Sequence, residues 1–162
     1  VDKETTERYK NKRAWEYDVL SQGYRYHMTN ILASVGISQI KRVVEFIDSR
    51  VRVCTAYTEA FSGLKGVITP STDYVGVSPF IYSLRVPENL RAGLIEHLGG
   101  LGIDTGIHFI PVHEHTFYPN ARRGGMEVTD RVTKQVVTLP LHSNMRPDFV
   151  ERVIEGVTGY FS

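Results

Sequence analysis

Phe80-Ile81-Tyr82-Ser83-Leu84-Arg85-Val86-Pro87, continued by Leu90, Leu94, Leu98 and Leu101, is the stretch that decides the fold. Phe80, Tyr82, Leu84 and Val86 alternate with Ile81, Ser83 and Arg85, the period of two expected of a strand with one apolar face. Pro87 then stands where a helix begins, four leucines return at helical spacing, and Gly102 closes the helix. A strand feeding directly into a helix is therefore predicted at the centre of the chain.

Working outward, residues 107–110 and 136–141 read as a second and a third strand. Pro147 opens a last helix whose core face would be Val150, Val153, Ile154, Val157 and Phe161. Upstream, Ile40, Val43, Val44, Ile47, Val51, Cys54, Tyr57 and Phe61 form a helical stripe over residues 39–61, with Gly63 placed to end it. A shorter helix over 29–35 is predicted before it, broken at Gly36. Few strands interspersed with helices imply an α+β sandwich, a small sheet covered by helices on one face, and not a doubly wound domain. Residues 117–134, polar and carrying Gly124-Gly125, are expected to be a mobile loop. Residues 2–22 are charged and polar apart from Trp15, Tyr17, Val19 and Leu20, and read as a surface connection.

Composition narrows the function classes. The 162 residues carry 19 basic and 18 acidic side chains, a net charge of +1, which gives no broad footprint for nucleic acid or an anionic membrane. No apolar run approaches the roughly 20 residues of a membrane span, and no signal-peptide order opens the chain, so a cytoplasmic protein is expected. The single cysteine, Cys54, has no second thiol for a disulfide or a thiolate metal site and is expected as a buried small hydrophobe. A chain beginning at Val1 is expected to be a fragment of a longer one.

Two constellations could carry chemistry. Gly23-Tyr24-Arg25-Tyr26-His27-Met28-Thr29-Asn30 puts a cation, a histidine and two aromatics just before a helix start, where unpaired backbone N–H groups suit an anion. The Arg25 guanidinium can give two parallel charge-assisted hydrogen bonds to a phosphate; the bland alternative is a solvated arginine beside packing tyrosines. His108-Phe109-Ile110-Pro111-Val112-His113-Glu114-His115 gathers three histidines at a strand end. His113 and His115 would share one side of an extended strand, with Glu114 between them. Nothing else in the sequence completes a metal site, so no metal is expected and the histidines read as substrate contacts or as structural residues. His97 and His142 are expected as surface or packing residues. No nucleophile elbow, P-loop or dinucleotide fingerprint occurs.

Read in order, residues 23–40 resemble a segment of the DegT/DnrJ/EryC/StrS sugar aminotransferases: glycine, aromatic, polar, aromatic, basic, methionine, then a short helix. Gly102-Ile103-Asp104-Thr105 with His108-Phe109-Ile110-Pro111-Val112-His113 is similar to that family's glycine-isoleucine turn and histidine-aromatic-x-proline-x-histidine strand. Thr138-Leu139-Pro140-Leu141-His142 resembles its late strand, the helix from Pro147 its final helix, and Trp15-Glu16-Tyr17-Asp18-Val19 the stretch before the glycine motif.

The resemblance implies a fold-type-I enzyme using pyridoxal 5'-phosphate to move an amino group from glutamate to a nucleotide-linked keto-sugar, as a homodimer with a shared active site. It implies that residues 1–37 lead from an absent cofactor-binding large domain, with residues 23–30 at the cofactor edge, and that 38–162 are the small domain. The family's covalent lysine lies upstream of the motif. None of Lys3, Lys10, Lys12, Lys41, Lys65 or Lys134 sits in its serine-rich loop, so no catalytic residue is expected in this chain and the fragment alone should be inactive. Arg25 and His27 are the implied phosphate contacts; the family more often has asparagine and arginine at those positions. His108, Phe109, His113 and Tyr26 are the implied substrate contacts, Phe109 replacing a frequent tyrosine. A related sugar dehydratase, or a non-catalytic binding or regulatory domain that kept the fold, are the alternatives.

Overall fold

The structure, a computed structural model, describes Tyr26, residues 28–118 and residues 124–162. The chain divides into two compact bodies, Val1–Ile40 and Lys41–Ser162. The described part of the first body is chiefly one helix, α1 (Asn30–Ile40). It contains no charged residue, and Ile31, Leu32, Val35, Ile37 and Ile40 are all more than half exposed. Gly36, expected to break this helix, lies inside it. A lone glycine costs a helix about 1 kcal/mol and does not stop it, and nothing crowds this one.

The second body follows the order α2 (Val43–Phe61), β1 (Tyr82–Arg85), α3 (Glu88–Gly100), a 3-10 turn (Val112–Glu114), α4 (Glu127–Thr133), β2 (Val136–Leu139) and α5 (Pro147–Phe161). The expected α+β arrangement is present. β1 and β2 pair antiparallel with Tyr82 opposite Leu139, Ser83 opposite Thr138 and Leu84 opposite Val137. Single bridges from Ile68 to Arg85 and from Gly106 to Thr138 widen this ribbon on both sides. The pleat sends Tyr82, Leu84, Val137 and Leu139 into the core, all of them buried, and turns Ser83 and Thr138 to the opposite face.

α2, α3 and α5 supply most of the rest of that core, with Val67, Val86 and Ile103 from the connections. Tyr57 stacks on Phe61 with ring centroids 5.6 Å apart and meets Tyr82 edge-on at 5.1 Å. Its hydroxyl donates to the Pro140 carbonyl at 3.2 Å. Leu94 and Leu98 of α3 and Val153 and Val157 of α5 are fully buried, as their helical spacing predicts. α3 ends in a Schellman closure: Ile103 N–H donates to Leu98 O and Gly102 N–H to Gly99 O, both at 2.9 Å, with Gly102 at φ 68°. Cys54 is buried on α2, and desolvation pushes its thiol up to about 11. Burial likewise pushes the Tyr82 hydroxyl up to about 12.

Four expectations need correction. The long helix starts at Val43 and not at residue 39. Arg42 caps it, its guanidinium 3.2 Å from Glu45 in the first turn, and Ile40 and Val44 are exposed because the buried face begins only at Val53. Phe80 is 69 % exposed, so the apolar face of β1 begins at Tyr82. Residues 107–110 are not a strand: after the Gly106 bridge this segment leaves the sheet, and no partner edge offers it a ladder. Residues 117–134 contain α4, whose Glu127 and Asp130 occupy the first turn and Arg131 the last, the charge order that suits a helix dipole. The segment 2–22 lies outside the described residues.

Candidate functional site

The face of the ribbon turned away from the core carries a line of polar groups. Ser83 Oγ and Thr138 Oγ1, paired across the strands, are 3.0 Å apart, and Thr138 Oγ1 is 3.0 Å from His108 Nδ1. Thr138 is buried, yet His108 at the end of the line is exposed. The Gly106 bridge delivers the imidazole to this place, and glycine leaves room for the ring in this orientation: a Cβ there would stand 2.7 Å from His108 Cε1. Among the described residues, Nε2 of His108 has no hydrogen-bond partner, so the ring is held from behind and offers its other nitrogen outward.

Beside His108 lies an open groove of about 480 Å³. One wall is the extended segment His108, Phe109, Ile110, Pro111 and Val112. The other is α4 with Val128, Thr129, Val132 and Thr133, and Val136 completes the lining. Phe109 is 72 % exposed, its ring edge-on to His108 at 4.7 Å. Thr133 Oγ1 donates to Phe109 O at 3.2 Å, and Arg91 Nη1 donates to Thr133 O at 2.7 Å, which ties α4 to both the segment and α3.

His113 behaves differently from its sequence reading. It lies in a 3-10 turn, closed by Glu114 N–H to Pro111 O at 2.9 Å, so His113 and His115 do not share a strand face. His113 is buried, and its Nε2 donates to Asp130 Oδ1 at 2.8 Å, while His115 is exposed. Asp130 was not singled out from the sequence; it comes from α4, across the loop, and pins that helix to the turn. Glu114 lies close enough that one ligand atom from each of His113, Glu114 and Asp130 falls within 4.8 Å of the others, the one such group among the described residues. Sequence spacing does not reveal it, because the third member comes from α4, a helix within a polar stretch that predicts a loop.

Of the remaining candidates, Tyr26 is 88 % exposed. Arg25 and His27 lie outside the described residues. His97 Nε2 is 3.1 Å from Gly156 O and His142 Nδ1 accepts from Asn144 N–H at 3.2 Å, the packing and surface roles expected of them. Among the described residues, no helix is long and apolar enough to cross a membrane.

The profile of the DegT/DnrJ/EryC1/StrS aminotransferase family matches residues 2–158. The chain belongs to that family. It is 32 % identical to the spore coat polysaccharide biosynthesis protein SpsC of Bacillus subtilis, over 97 % of this chain and 43 % of that protein. It is 30 % identical to the GDP-perosamine synthase of Caulobacter vibrioides, over 89 % of this chain and 39 % of that one. Among solved structures it is similar to the sugar aminotransferase Spr1654 of Streptococcus pneumoniae in its PLP form, with a TM-score of 0.73 and 28 % identity, over 90 % of this chain and 39 % of that one. The chain thus spans about two-fifths of the length of the DegT/DnrJ/EryC1/StrS relatives it matches.

Proposed function

We propose that this chain is the small-domain part of a pyridoxal-phosphate-dependent aminotransferase that moves an amino group from glutamate to a nucleotide-linked keto-sugar, working as a cytoplasmic homodimer with a shared active site. The observation that carries the reading is the family match from residue 2 to residue 158. α1 supports it: a helix without charge whose large apolar residues are bare suits burial in a larger core.

The described residues do not make a cofactor site by themselves. Lys41, Lys65 and Lys134 are all exposed, and Lys134 Nζ faces Glu88 at 3.8 Å, whereas a lysine that binds an aldehyde needs an enclosed pocket to lose its proton. When bound, the cofactor would supply an electron sink; in this reading it is held by the rest of the enzyme. What this chain contributes is binding. Arg25 or His27, in the loop 23–30, reaches the cofactor phosphate across the subunit boundary, and Tyr26 of the same loop contacts substrate. His108 and Phe109, at the mouth of the groove, meet the sugar substrate. His113, implied as a further substrate contact, is buried and holds Asp130 of α4.

The test uses the intact protein, loaded with pyridoxal phosphate and offered glutamate and then a panel of keto-sugar nucleotides. Glutamate should bleach the visible absorbance of the cofactor and release 2-oxoglutarate, and one of the keto-sugars should restore the colour. An intact protein that takes up no pyridoxal phosphate, or whose spectrum ignores glutamate, refutes the assignment.

A further inference from the structure

The line Ser83–Thr138–His108 is too ordered to be chance surface polarity. Thr138 sits at the centre of the ribbon, bonded to Ser83 across the register and to Gly106 through two backbone bonds, Thr138 N–H to Gly106 O at 2.7 Å and Gly106 N–H to Thr138 O at 3.0 Å. These fix its Cα, and the β-branched side chain leaves little freedom at χ1. Its hydroxyl is therefore a rigid post. His108 is the reverse case: an exposed imidazole on a segment outside the sheet, which would lose rotamer freedom at each encounter with a ligand if nothing held it. A hydroxyl can donate one proton and accept others, so Thr138 can satisfy Ser83 and His108 together, one bond given and one received.

We propose that Thr138 is a positioning residue: by holding Nδ1 it fixes the orientation of the His108 ring, so that Nε2 meets the sugar substrate already aimed into the groove. This rests on the reading that the groove beside His108 receives the keto-sugar. Pre-organisation lowers the cost of binding and leaves the chemical step alone. The effect is assigned to the keto-sugar, the substrate this groove is proposed to receive.

Thr138→Val keeps shape and branching and deletes the hydroxyl; Thr138→Ser keeps the hydroxyl. In the intact enzyme, Thr138→Val should raise KM for the keto-sugar nucleotide roughly three- to tenfold, the worth of one net hydrogen bond. It should leave kcat within about twofold and KM for glutamate unchanged. Thr138→Ser should restore KM. On His108→Ala, whose KM is already raised, Thr138→Val should add nothing, because the two act through one bond. Independently of activity, NMR of the His108 side chain should report one fixed rotamer in the native protein and rotamer averaging in Thr138→Val.

An active enzyme whose sugar KM ignores Thr138→Val, or in which the variant still raises KM on His108→Ala, overturns the inference alone. So does a His108 rotamer unmoved by the variant. A native enzyme that aminates no keto-sugar overturns the functional reading and this inference with it.

Discussion

Replacing Gly93 with alanine gives a sharp test of the packing between α3 and α5. In an ordinary helix interior this change stabilises by about 1 kcal/mol, because glycine has more backbone freedom to lose. Here a Cβ at position 93 would stand 2.4 Å from the Tyr160 hydroxyl, which donates to the Leu90 carbonyl at 3.2 Å. The ring must swing away, giving up that bond, worth about 1 kcal/mol, and its contacts with His97 and Phe161 at 5.5 and 5.2 Å. Overpacking of this kind costs about 1–3 kcal/mol. Set against the propensity gain, Gly93→Ala should destabilise the body formed by Lys41–Ser162 by about 1–2 kcal/mol, a fall in melting temperature of roughly 4–8 °C.

The offending atom is one oxygen, so the cost is removable. In Tyr160→Phe the nearest atom to the new Cβ becomes the ring carbon Cζ at 3.4 Å, an ordinary contact. Gly93→Ala on that background should be neutral or stabilising by up to about 1 kcal/mol. The four proteins, compared by urea unfolding followed by far-ultraviolet circular dichroism, should give a coupling of roughly 2 kcal/mol. If Gly93→Ala shifts stability equally in both backgrounds, within about 0.5 kcal/mol, the close approach does not govern this interface and the reasoning fails.

Three further outcomes are expected. Cys54, whose thiol burial pushes up to about 11, should resist iodoacetamide at pH 8 and react promptly once urea unfolds the chain; rapid alkylation of the native protein would contradict its burial. Because Cys54 and Tyr82 hold their protons more tightly when folded, their contribution to stability is complete below about pH 8.5. It should be lost as pH rises toward 12, which alkaline unfolding curves will show. In the intact enzyme, Arg25→Ala should weaken retention of pyridoxal phosphate by roughly 10- to 100-fold, the value of a charge-assisted hydrogen bond. Unchanged retention, with loss on His27→Ala instead, would transfer the phosphate contact to the histidine.

Periodicity alone determined the centre of this protein. The alternation through Tyr82, Leu84 and Val86, the leucines of α3 and the Val153–Val157 face of α5 were legible because each follows from side-chain direction within a single element, a local property of the backbone. The ordered motifs likewise point to the family, because they too are read along the chain. Only the tertiary structure decided which polar residues meet. Thr138 serves His108 because a bridge at Gly106 lays one segment along another, and Asp130 serves His113 because α4 folds back over the turn. Such pairings depend on how elements far apart in sequence settle against each other, and no spacing along the chain records that.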